Sequence, residues 1–102
     1  MFANTLDVSS TAGIEWAITA SFYVAVHYVQ AYFAPHNSYT SHRQRDSAIQ
    51  RDTKIQGIYM EYRELETYSR DARYDVPGFG PSDLAIVKSG LARVKACIEP
   101  LL

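Results

Sequence analysis

Every histidine of the chain lies in AVHYVQAYFAPHNSYTSHRQR, residues 25–45, with Arg43 and Arg45 close behind His42. Imidazoles followed by guanidiniums offer three chemistries: metal ligation, proton transfer and the binding of an anion. Metal ligation needs donors at short spacing, such as two His one helical turn apart with a Glu between them, or paired Cys. His27, His36 and His42 stand nine and six residues apart and span a helix, a turn and the start of a new helix, which fits no such pattern. No metal and no cofactor is expected.

His27 sits beside Tyr23 and Gln30 within an apolar helix and reads first as a hydrogen-bonded core histidine, since a general acid or base also needs access to substrate. His36 follows Pro35 in a polar turn and reads as a solvated loop residue. His42 differs from both. It stands one residue past Ser41, an expected N-cap, where the positive end of a helix favours an anion, and Arg43 and Arg45 add charge at the same place. A phosphate or an RNA backbone is the chemistry that fits, and the competing reading is a solvated helix start. His42 and His27 are the candidate catalytic residues.

A second basic cluster, Ser69-Arg70-Asp71-Ala72-Arg73-Tyr74, closes a later helix. Cations are favoured at a helix C-terminus, and Asp71 and Asp75 offer pairing, so a structural ion network accounts for part of it. Tyr59, Tyr62, Tyr68 and Tyr74 accompany these arginines, and an Arg/Tyr surface can stack bases or fill a protein interface. The expected ligand-binding set is His42, Arg43, Arg70, Arg73 and Tyr74.

These side chains need helices to hold them. Ser9, Ser10 and Thr11 can cap a helix that Pro35 ends, so the first helix is expected over residues 11–34. Its Ile14, Ile18, Phe22, Val26, Val29 and Phe33 form one stripe, while Trp16, Ala20, Tyr23, His27, Gln30 and Ala31 form another, which suggests a central helix covered all round. Ser41-His42-Arg43-Gln44 matches a capping box and opens a short second helix with Ala48 and Ile49 as its aliphatic contacts. Arg51-Asp52-Thr53-Lys54 breaks or re-caps it. A third helix over about residues 53–74 carries Ile55, Ile58, Tyr59, Tyr62, Leu65, Ser69 and Ala72 at helical spacing. DVPGFGP, residues 75–81, is a loop. Ser82 caps a fourth helix with Leu84, Val87, Leu91, Val94 and Ile98 on one stripe, and Pro100 closes it. No stretch alternates with period two, so the fold class is all-α, a small up-and-down helical bundle of four or so helices.

With 102 residues the chain forms one domain, residues 1–102, in which residues 1–10 are expected to be irregular. A composition of 47% hydrophobic and 21% charged residues is that of a globular protein, and a net charge of -1 places any anion site in a local cluster. Basic charge falls mainly on arginine, the better bidentate partner of phosphate. One cysteine, Cys97, cannot form an internal disulfide; it reads as a small buried hydrophobe and points to a reducing, cytoplasmic setting. Residues 12–34 are long enough to span a bilayer, but Glu15, His27 and Gln30 would each be costly in hydrocarbon, so no membrane association is expected.

Three blocks taken together, EWAITASFYVAVHYVQAYF, SHRQRDSAI and YMEYRELETYSRDARYDVP followed by a last amphipathic helix, resemble a HEPN domain (higher eukaryotes and prokaryotes nucleotide-binding) over roughly residues 15–99. The resemblance implies a compact helical bundle, usually a homodimer, in prokaryotic toxin-antitoxin, defence or nucleotidyltransferase-associated systems, with a nucleotidyltransferase or an antitoxin as partner. Many such domains cut RNA without a metal, using an Arg followed four to six residues later by a His. Here no Arg precedes any His, and the nearest echo is Arg63 followed by Tyr68, whose phenol, with an ordinary pKa of about 10, is a poor base at neutral pH. Such domains often carry a further helix before the first block, and its lack would leave one side of the first helix open to a dimer partner.

The resulting expectation is a HEPN-like dimeric module that binds RNA or a nucleotide through His42, Arg43, Arg70 and Arg73. A non-catalytic structural or partner-binding dimer is the second reading, and a metal-independent ribonuclease built from His27 or His42 with Arg70 or Arg73 is the third.

Overall fold

The computed structural model describes residues 11–34, 39, 41–73 and 79–102 of the protein. Among them are four α-helices and no strand: α1 (Thr11–Phe33), α2 (His42–Arg51), α3 (Tyr59–Arg73) and α4 (Pro81–Ile98), with 3-10 turns at Gln56–Ile58 and Glu99–Leu101. The protein is an all-α bundle. Residues 1–10, His36, Tyr74 and Asp75 lie outside the described residues, so the expectations placed on them stay there.

The three long helices build the core. α1 packs against both α3 and α4, which also pack on each other, while the short α2 lies mainly against α3. Each contributes the stripe its sequence spacing requires: Ile14, Ile18, Phe22, Val29 and Phe33 from α1, Tyr62, Leu65 and Ala72 from α3, and Leu84, Val87, Val94 and Ile98 from α4 are all buried. Ala48 and Ile49, with Ile55 and Ile58 of the following turn, close the core beneath α2.

The opposite stripe of α1 departs from expectation. Trp16, Tyr23 and Val24 are 50, 47 and 42% exposed, and His27 is exposed with them, so α1 is covered on one side and open on the other. His27 is therefore not a core histidine. Two helices, α3 and α4, are enough to bury one stripe, and no fifth helix is present among the described residues to cover the second. No helix is long and apolar enough to cross a membrane.

Capping chemistry sets the start of α2. The Ser41 hydroxyl accepts the Gln44 N–H at 3.1 Å and the Gln44 side chain accepts the Ser41 N–H at 3.4 Å, the reciprocal arrangement of a capping box. Asp52 ends the helix and re-starts the chain: its Oδ1 accepts the N–H groups of Lys54 and Ile55, and its Oδ2 accepts the Tyr32 hydroxyl of α1 at 2.9 Å. The third helix consequently begins later than expected, since residues 53–58 form a turn and a 3-10 segment before Tyr59. α4 begins earlier than a Ser82 cap would allow. Gly80 is the N-cap, Pro81 is the first helical residue, and the Asp83 carboxylate accepts the Gly80 N–H at 2.8 Å. Proline suits that position because its missing N–H would have had no partner there.

Candidate anion-binding cleft

α2 and α3 meet along two polar stripes. On α2 these are His42, Arg43, Asp46, Ser47 and Gln50, one or two turns apart; on α3 they are Tyr59, Arg63, Glu66 and Arg70, at spacings of four, three and four. The stripes enclose an open cleft of about 500 Å³. His42, Arg43 and Arg70, expected on sequence grounds, are brought together here. His27 is not: it lies on the outer face of α1 with Val24, Tyr28, Ala31 and Leu102. Arg73 is the last residue of α3, and its side chain is not among those described.

Arg45 is the anchor behind the cleft. Although charged, it is only 6% exposed. Its Nε donates to the Tyr62 hydroxyl at 3.3 Å, one terminal nitrogen donates to the Tyr39 carbonyl at 3.3 Å, and the other meets His42 Nδ1 at 2.8 Å. A guanidinium carries only donors, so His42 Nδ1 must accept, which leaves the imidazole proton on Nε2. The imidazole ring also lies against Phe22 of α1, with centroids 5.5 Å apart, and Phe22 in turn meets Tyr62 at 5.8 Å. Burial pushes the Tyr62 phenol up to about 12, against the opposing pull of Arg45, so it stays protonated and can only donate or accept as a neutral hydroxyl.

Arg63 spans two carboxylates. It reaches Asp46 Oδ2 at 3.3 Å across the helix interface and Glu66 Oε1 at 3.4 Å one turn along α3, and it also donates to the Tyr59 hydroxyl at 3.3 Å. The other oxygens, Asp46 Oδ1 and Glu66 Oε2, are buried and have no hydrogen-bond partner among the described residues. Glu66 Oε2 is 3.4 Å from His42 Nδ1, yet the lone pair of that nitrogen is already directed at Arg45, so no N–H is offered to the carboxylate. Burial, then the negative charge of neighbouring Asp46, raises the Glu66 carboxyl from its ordinary 4.5 to about 7.

That shift has a definite sign in stability. Between 4.5 and about 7 the folded protein keeps a proton on Glu66 that the unfolded chain has released, so stability falls as pH rises through this window, and the loss is complete above it. Glu66→Gln is expected to remove the slope. Stability at about pH 8 should rise by about 1 to 2 kcal/mol, a value reduced for solvent screening beside an open cleft, with little change at about pH 5. Urea denaturation midpoints at the two pH values measure it.

The local charge balance favours an anion. Guanidiniums from Arg43, Arg45, Arg63 and Arg70 outnumber the carboxylates of Asp46 and Glu66 even when both are ionised, in a protein whose formal charge is -1. Arg70 approaches Asp71 at 3.9 Å, and both side chains are well exposed, so that pair holds it weakly. Among the described residues no three His, Cys, Asp or Glu side chains converge as metal ligands would. Sequence spacing missed Asp46, Arg63 and Glu66. Tyr68, the residue that follows Arg63 at the spacing of the resemblance, points away to Asp83 of α4, its hydroxyl 3.5 Å from Oδ1. Cys97 is half-buried, its thiol 3.7 Å from the Lys54 carbonyl.

Comparison with family models, curated proteins and solved structures finds no match for this chain.

Proposed function

We propose that the protein is a HEPN-like helical module that binds the phosphates of RNA or of a nucleotide in the α2–α3 cleft, as part of a prokaryotic toxin-antitoxin or defence system in the cytoplasm. The observation that carries this reading is the gathering of Arg43, Arg63 and Arg70 around one cleft beside His42 and the Tyr59 ring, in a chain with no excess of positive charge. Guanidiniums suit phosphate oxygens bidentately, and an aromatic ring at the same rim can stack a base. Arg63 passes over the Tyr59 ring at 6.0 Å and so lends both features to one edge of the cleft.

The test is RNA binding as a function of salt. Affinity for a short single-stranded RNA should fall steeply with added salt, and replacing both Arg43 and Arg70 with Ala should weaken it at least tenfold and reduce the log–log salt slope by about 1.4, or about 0.7 per lost phosphate contact. Arg93→Ala serves as the control, because Arg93 pairs with Glu61 at 3.1 Å and does not line the cleft. Affinity that ignores Arg43 and Arg70 would remove this reading.

A second reading, a homodimer or a complex with a nucleotidyltransferase or antitoxin partner, is favoured by the open stripe of α1, where Trp16, Tyr23 and Val24 lie exposed. It is compatible with the first, since the stripe and the cleft share no residue. Of the two histidines considered for a ribonuclease, only His42 reaches the cleft. RNA cleavage in the presence of a chelator, abolished in His42→Ala, would add catalysis to binding.

A further inference from the structure

Two carboxylates already hold Arg63, and a phosphate entering the cleft must compete with both. The carboxyl groups of Asp46 and Glu66 are held by one guanidinium, at 3.3 and 3.4 Å, and each keeps a buried oxygen without a partner among the described residues. Two carboxylates so placed repel when both are ionised, and one proton between them converts the repulsion into a hydrogen bond. Such a proton also accounts for two buried oxygens that otherwise lack a donor.

We propose that Asp46 and Glu66 form a carboxyl pair that holds one proton from solvent when an anion in the cleft claims Arg63, so that phosphate binding is coupled to proton uptake. The coupling rests on the reading of the cleft as a phosphate site. Its physical basis is exchange of counter-charge: once Arg63 turns to a phosphate, the carboxylates lose their nearest cation and gain a neighbouring anion, and both changes favour the protonated pair. Near-neutral titration of Glu66 means that the pair is only partly protonated beforehand, so there is a proton to gain.

Other groups face the pair and must be separated from it. From α2 these are His42, Arg43 and Arg45, and from α3 they are Tyr59, Tyr62, Arg63 and Arg70, while the Phe22 ring of α1 lies against the His42 imidazole. Tyr62 and Arg63 are both pushed upward and keep their protons, and His42 is the imidazole that the test must separate from the pair. Its protonation would disturb the 2.8 Å contact from Arg45, which requires Nδ1 as an acceptor.

The test combines two measurements on the full chain. In the free protein, carboxyl-carbon NMR should show Glu66 titrating near neutrality, with the midpoint falling in Asp46→Asn. Affinity for a short oligoadenylate, whose phosphodiesters do not titrate between about pH 6 and about pH 8.5, should then drop with rising pH by up to about tenfold per unit above neutrality. Glu66→Gln should bind with an affinity independent of pH and tighter than the wild type at high pH, while His42→Gln should keep the wild-type slope. Ordinary titration of Glu66, a slope that survives in Glu66→Gln, or a slope that vanishes in His42→Gln would each overturn the coupling. Absence of oligoadenylate binding at every pH overturns the phosphate reading and the coupling with it, and is told apart from failure of the carboxyl pair by the NMR titration alone.

Discussion

Replacing Arg45 with methionine is expected to lower the stability of the bundle by about 3 kcal/mol, a large part of the roughly 5–15 kcal/mol that holds a domain of this size together. Methionine can fill the space of the aliphatic stem, so the loss comes from the head group. Without it the Tyr62 hydroxyl, the Tyr39 carbonyl and His42 Nδ1 all lose their donor, and the first of these is buried. Unsatisfied buried acceptors cost about 1–3 kcal/mol each. Arg45 also opposes the upward pull on the Glu66 carboxyl, so its removal leaves Asp46 and Glu66 less compensated and the pair more avid for a proton. The urea midpoint measures the effect, and Arg45→Lys should recover little of it because an ammonium cannot point donors at three separated acceptors. A loss below about 1 kcal/mol would show that water takes over these contacts and that Arg45 does not anchor the cleft.

The second large effect belongs to Phe22. Truncation to Ala should cost about 4 kcal/mol, since a fully buried ring is lost and the helices around it cannot close the space. Phe22→Leu should cost only about 1 kcal/mol by keeping most of the volume. What distinguishes Phe22 from other core positions is its pair of ring neighbours, His42 at 5.5 Å and Tyr62 at 5.8 Å. The same side chain that ties α1 to α3 forms the wall against which the imidazole rests. Oligoadenylate affinity in Phe22→Leu, whose stability is nearly retained, should therefore fall more than in a core variant remote from the cleft such as Val94→Ala. Equal affinities in the two variants would show that the wall does not position His42.

The core was readable because burial follows the helical repeat. Ile14 to Phe33, Tyr62 to Ala72 and Leu84 to Ile98 could be assigned from spacing, and the Ser41–Gln44 cap from four residues. Boundaries were less so: a serine at position 82 looks like a cap, but Pro81 is itself competent at a first helical position, which moves the cap to Gly80. The second stripe of α1 misled for a different reason. Apolar composition says that a face can be covered, not that a neighbour exists to cover it. Of the cleft, His42, Arg43 and Arg70 were suggested by charge at helix ends, whereas Arg45 looked like one more surface cation until α3 brought Tyr62 to it. Asp46 and Glu66 are twenty residues apart in the chain, and only the packing of α2 on α3 makes them neighbours. A signal for half of the site was nevertheless present: Tyr59, Arg63, Glu66 and Arg70 recur at alternating intervals of four and three, a polar stripe opposite no solvent-facing need.

The packing of α1 against both α3 and α4 has a consequence for the order in which the chain is made. α1 is made before both helices that pack on it, so its apolar stripe is not fully covered until residues up to Ile98 of α4 have been added. At about 5–20 residues per second that interval is several seconds, long beside the microseconds in which the helices themselves form. During synthesis α1 is therefore a sticky amphipathic rod in search of cover, and a nascent-chain chaperone has its longest opportunity there.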